Sequence, residues 1–101
     1  MPKFNVSSSS KYSAPETFKK IRELFENDRD LKKMDPGYVS QFDESKLNGS
    51  AKGGKFEAQM RIVPSGNSCS VEIEVNLPLM LTPLKGVVQS TLQKKLETAL
   101  A

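Results

Sequence analysis

Few residues in this sequence are equipped for chemistry. Histidine is absent, which removes the commonest general base and the commonest metal ligand. Cys69 is the single thiol, and a nucleophilic or redox cysteine needs a neighbouring base or cation to hold it as thiolate. With no histidine to serve, Cys69 reads as a structural thiol at the start of a strand. One cysteine forms no internal disulfide, so nothing implies an oxidising compartment. Glu72 and Glu74 are paired carboxylates, two apart and therefore on the same outward face of a strand. They read as a solvated face countered by Arg61 and lysines, not as an acid–base or metal pair. Asp28, Asp30 and Asp35 lack the spacing of a calcium loop, and the glycines from Gly49 to Gly54 lack the Gly-Lys-Ser/Thr that would cradle a phosphate. The serine run 7–10 has no basic partner. No constellation meets the requirements of an active site, so the expectation is a non-enzyme with no metal and no cofactor.

Charge excludes little more. Fifteen bases stand against twelve acids, a formal net charge of +3. Lys46, Lys52, Lys55 and Arg61 are concentrated around Glu57, but the nearby aromatic, Phe56, has an inward strand phase. A nucleic-acid site wants bases and aromatics on one face, so a solvated basic surface is the better reading. The chain has 101 residues, with 37% hydrophobic and 27% charged, an ordinary globular mixture suited to one domain over 1–101. No run approaches the roughly 18–20 apolar residues that cross a bilayer, and Met1 to Val6 lacks the apolar stretch of a secretion signal.

The elements follow from periodicity. Phe4, Val6 and Tyr12 lie at even spacing, so residues 1–12 are either an edge strand, near 3–11, or a flexible tail. Ser13-Ala-Pro-Glu16 starts a helix, with Ser13 as cap. Phe18, Ile21, Leu24, Phe25, Leu31 and Met34 then share one face, and Asp35-Pro36-Gly37 ends the run. A helix over 14–34 would be about 30 Å long. The polar Asn27-Asp28-Arg29-Asp30 stretch is a point at which it could divide in two. Tyr38–Asp43 alternates as a strand. Lys46–Lys52 is a weaker strand whose small residues, Gly49 and Ala51, allow close packing.

Lys55–Val63 and Val71–Leu77 alternate cleanly on either side of a turn at 64–67, and predict an antiparallel hairpin with one buried face. Pairing Ile62 with Val71 sets Arg61 opposite Glu72, whereas a two-residue slip sets Glu57 opposite Glu74, so the first register is expected. Pro78 ends the strand and Leu77–Leu81 is an apolar linker. Thr82-Pro83 then opens the last helix as cap and first residue. Leu84, Val87, Val88, Thr91, Leu92, Leu96, Ala99 and Leu100 form its stripe, the strongest amphipathic signal in the chain. Gln89, Gln93, Lys94 and Glu97 fall outside it.

The predicted fold class is therefore α+β: a curved antiparallel sheet of four or five strands in β-α-β-β-β-β-α order, gripping a long C-terminal helix that covers its apolar face. Two features carry function. Leu79, Met80, Leu81 and Leu84 are an apolar excess, either core or an exposed contact for a ligand or partner. Phe56, Met60, Val88 and Leu92 are the set expected to line the core, or a pocket, between sheet and helix.

Leu77-Pro-x-x-Leu81-x-Pro83-x-Lys85-Gly86, followed by Leu92-x-Lys94-x-Leu96, resembles the end of the small polyhydroxyalkanoic acid system proteins. Phe56-x-Ala58-x-Met60 and Val71-x-Ile73-x-Val75 fit that family's central hairpin, and the N-terminal strand with Ser13-Ala-Pro-Glu16 fits its beginning. The likeness spans almost the whole chain, with the serine run and Gly53-Gly54 as departures. It implies a link to bacterial polyester storage granules, a cytoplasmic setting, and a reduced helix-grip domain similar to the lipid-binding START type. It supplies no catalytic residue. The leading expectation is a non-enzymatic binding module whose partner is a granule surface, a granule protein or another apolar partner. The alternatives are a carrier of a small apolar, acyl-like ligand between sheet and last helix, and a structural or regulatory homo-oligomer joined through an edge strand or the linker.

Overall fold

The computed structural model describes residues 3–54 and 56–101, apart from the side chain of Met34. The outward placement of Lys55 and the inward placement of Met34 therefore lie outside the described residues. The elements are β1 (Lys3–Ser10), α1 (Ala14–Asn27), α2 (Arg29–Met34), β2 (Val39–Asp43), β3 (Asn48–Lys52), β4 (Glu57–Ser65), β5 (Ser68–Asn76), a 3-10 segment (Leu79–Leu84) and α3 (Lys85–Ala99). The five strands form one antiparallel sheet in the order β1-β5-β4-β3-β2.

Local chemistry sets each boundary. The Ser13 hydroxyl accepts the Glu16 N–H at the start of α1, satisfying one of the free donors of the first turn. The helical stretch divides at Asp28, which ends α1 and caps α2 by accepting the Leu31 N–H at 3.0 Å. The β4–β5 hairpin has the expected register: Ile62 faces Val71 and Arg61 faces Glu72. Its turn is tighter than expected, because Pro64 and Ser65 belong to β4 and only Gly66 and Asn67 lie between Ser65 and Ser68. Gly66 has φ of +61°, the sign required at the first central position of a type II′ turn and free of strain only for glycine.

Because the strands are in register, inward rows cross the sheet. Phe42, Gly49, Met60, Ile73 and Val6 make one row, and Ser40, Ala51, Ala58, Val75 and Phe4 another. The close packing expected at Gly49 has a specific cause: the Phe42 ring occupies the space a Cβ there would need. Phe42 in turn meets Phe18 edge-on, with ring centroids 5.9 Å apart, and Phe25 at 6.1 Å.

The two long helices, α1 and α3, lie on the apolar side of the sheet, but they share the work differently from the expectation. The deeper cover comes from α1, which buries Phe18, Ile21 and Phe25. Within α3 only Leu92 and Leu96 are buried, while Val87 stays exposed. The reason is position. α3 packs along β1 and α1, so part of its stripe looks past the sheet. Residues taken as outside the stripe hold it there. The Gln89 amide donates to the Asn5 carbonyl at 3.2 Å, and the Gln93 amide donates to the Ser7 carbonyl at 2.7 Å and accepts from the Ser7 N–H at 3.3 Å. Two glutamines thus satisfy backbone groups on the outer edge of β1, where a further strand would otherwise pair. The start of α3 also differs from the expected Thr82 cap. Leu79–Leu84 winds as a 3-10 helix with Pro83 inside it, and α3 begins at Lys85 with no side-chain cap.

Candidate functional site

At the end of the sheet where β4 begins and β5 ends, the two helices do not close over the strands. A cavity of about 340 Å³ lies there, near the lower end of the ~300–1,000 Å³ range of small-molecule sites. The sheet supplies its floor through Phe56, Ala58, Val75 and Leu77. One wall is Phe25 of α1 with Leu31 and Lys33 of α2. The other is Leu81 and Leu84 of the 3-10 segment with Val88, Thr91 and Leu92 of α3. Ala58 is small, and α3 begins only after the 3-10 segment, which puts Leu81 and Leu84 at the cavity wall. The Phe56 ring leans on Tyr38, with centroids 5.6 Å apart.

Of the residues singled out from sequence, Phe56, Val88 and Leu92 line this cavity together with Leu81 and Leu84. Met60 does not. It is buried in the inward row under α1, and is core. Leu79 and Met80 also stay off the cavity, at 76% and 83% exposure, and with Leu84 and Val87 they form an apolar patch beside it. Leu81 packs against the core. The apolar excess is thus split: Leu81 faces inward to the cavity, Leu84 lies at its rim with about half its surface in water, and Leu79 and Met80 face water. Sequence reasoning missed Leu31, which it read only as part of a helix's apolar face, and did not single out Lys33. Thr91 was in the stripe, and a hydroxyl inside an apolar stripe was the available signal.

The frame around the cavity is fixed by polar contacts. Lys95 of α3 donates to Asp28 at 3.0 Å and to Asp30 at 2.9 Å, tying α3 to the joint between α1 and α2. Partial burial would raise the Asp28 carboxyl, but the Leu31 N–H and the Lys95 ammonium outweigh it and hold the group below its ordinary value. The same two carboxylates, Asp30 foremost, push the Lys95 ammonium above its usual range. The Tyr38 hydroxyl donates to the Phe25 carbonyl, and burial, helped by the Asp28 charge, raises its pKa.

The other candidates are structural. Cys69 is buried, its sulfur 3.3 Å from the Thr17 hydroxyl and 3.6 Å from the Tyr12 carbonyl. Glu72 pairs with Arg61 at 3.0 Å and Glu74 with Lys3 at 3.5 Å, all four well exposed. Arg61, Glu72 and Glu74 belong to an open polar trough of about 1080 Å³ over the opposite sheet face, larger than the cavity. Among the described residues no three potential metal ligands come together, and no helix is long and apolar enough to cross a membrane.

No known family model and no curated protein matches the sequence. Solved structures do match. A protein from Thermus thermophilus superposes with a TM-score of 0.63 at 13% identity, covering 98% of this chain and 94% of the other. The di-domain ARO/CYC BexL from the BE-7585A biosynthetic pathway gives a TM-score of 0.71 at 12% identity over 99% of this chain, which spans 45% of that one. Ara h 8.0201 gives 0.61 at 12% identity, with 97% and 94% coverage. At such identities the likeness defines the fold alone. It is a helix-grip-like α+β fold, here with five strands.

Proposed function

We propose that this protein is a non-enzymatic carrier that holds a small apolar ligand between its sheet and its C-terminal helix. The observation that carries the reading is the cavity itself, open at one end and walled by ten apolar residues out of twelve. Burying an alkyl or aryl ligand there removes apolar surface from water on both sides, at roughly 25 cal/mol per Å². The cavity favours the carrier among the alternatives raised by the sequence, and the lack of histidine supports a binding role over a catalytic one. The test is extraction of the purified protein for mass spectrometry, together with titration of Nile red as an apolar probe. Saturable binding that Val88→Trp abolishes, with the circular dichroism spectrum unchanged, is expected. Probe binding unaffected by a tryptophan in the cavity wall would overturn the reading.

The patch of Leu79, Met80, Leu84 and Val87 favours a second reading, contact with a polyester granule or a protein on it, which rests on the sequence resemblance to polyhydroxyalkanoic acid system proteins. Met80→Asp is the appropriate variant, because Met80 is the most exposed of the four. It is expected to reduce sedimentation with isolated granules while leaving Nile red binding intact. Unchanged sedimentation would remove the granule reading and leave the carrier standing.

A further inference from the structure

The cavity wall contains a single ionisable residue among the described ones, Lys33, and a single hydroxyl, on Thr91; the other ten are apolar. Lys33 is exposed at the C-terminal end of α2 and makes no ion pair among the described residues, in contrast to Lys95, which is held by two carboxylates. No carboxylate lines the cavity. A small-molecule site typically takes its affinity from apolar wall and its ligand orientation from a few polar groups. Here those groups are one cation and one hydroxyl donor, on opposite walls.

We infer that the ligand is a single-chain amphiphile with a monoanionic head, such as a fatty carboxylate, whose alkyl chain fills the cavity while the head pairs with Lys33. This deepens the carrier reading and rests on it. A cationic head would meet Lys33, and the neighbouring Lys32, at the same helix end. A neutral chain leaves the charge unused. A doubly charged head has only one cation of the wall to balance it. The ammonium sits where it keeps water on one side, so the head needs little desolvation while the chain is buried.

The experiment compares decanoate with decanol, matched in chain and differing in charge, as competitors of Nile red on the purified protein at low salt. Decanoate is expected to compete about three- to fivefold more tightly than decanol, the most that an exposed ion pair supplies, and Lys33→Gln to bring the two to about equal by weakening decanoate alone. Lys33→Arg should retain the preference, and added salt should shrink it. Equal competition by both in the native protein, or a preference that survives Lys33→Gln, overturns the head-group assignment and leaves the carrier reading intact. Failure of both competitors and of Nile red to bind overturns the carrier reading and this inference with it.

Discussion

Asp28 does three things at once: it ends α1, caps α2 through the Leu31 N–H and receives the Lys95 ammonium. Its depressed pKa makes folding pH-dependent in a defined direction. A carboxyl held below its unfolded value contributes stability that is complete above that value, 3.8 for a free aspartate, and that is lost as the pH falls through the lower folded value. Lys95 is shifted the other way, so its contribution is full below 10.5 and is lost as the pH rises through the higher folded value. Denaturant midpoints measured from neutral pH downward are therefore expected to fall in acid, and to fall less in Asp28→Asn, which keeps the cap and loses the charge. Equal acid slopes for the two proteins would disprove the assignment. By contrast Arg61 and Glu72, though 3.0 Å apart, are largely exposed, and such a pair contributes at most about 1 kcal/mol.

The edge of β1 shows how elements depend on one another. Its serine-rich outer side carries backbone groups that a sheet leaves unpaired at an edge, and α3 covers them with Gln89 and Gln93. Gln93→Ala is expected to speed hydrogen exchange at the Ser7 amide several-fold while leaving the β5 core amides protected, because the helix keeps its apolar anchors Leu92 and Leu96. Exchange at Ser7 that does not change would mean that water already satisfies that edge. The hairpin register was legible in the sequence because alternation and charge opposition are local, pairwise properties, whereas the even spacing of Phe4, Val6 and Tyr12 left residues 1–12 between an edge strand and a flexible tail. The glutamines were not legible, because what makes them clamps is the edge they reach, more than eighty residues away in sequence.

Over the whole molecule, the apolar residues divide between a core, to which α1 and α3 both contribute, and a cavity at one end of the sheet, and substitutions should report which is which. Leu96 is fully buried, so Leu96→Ala should cost ~2–5 kcal/mol. Val88 is half-buried on the cavity wall, so Val88→Ala should cost about 1 kcal/mol or less. Comparable losses in urea denaturation would mean that the cavity is packed like the core. The order of the strands and main helices, the stretch in which the first helix divides, the hairpin register and five of the twelve residues around the candidate site were readable from the chain before any folding, because period, capping and cross-strand charge act between near neighbours along a strand or helix. The same patterns could not choose between core and contact for Leu79 to Leu84, nor place Met60 in the core and Lys33 at a cavity mouth. Those outcomes depend on where α3 comes to rest against β1, and that position is set by long-range packing, which no periodicity in the chain encodes.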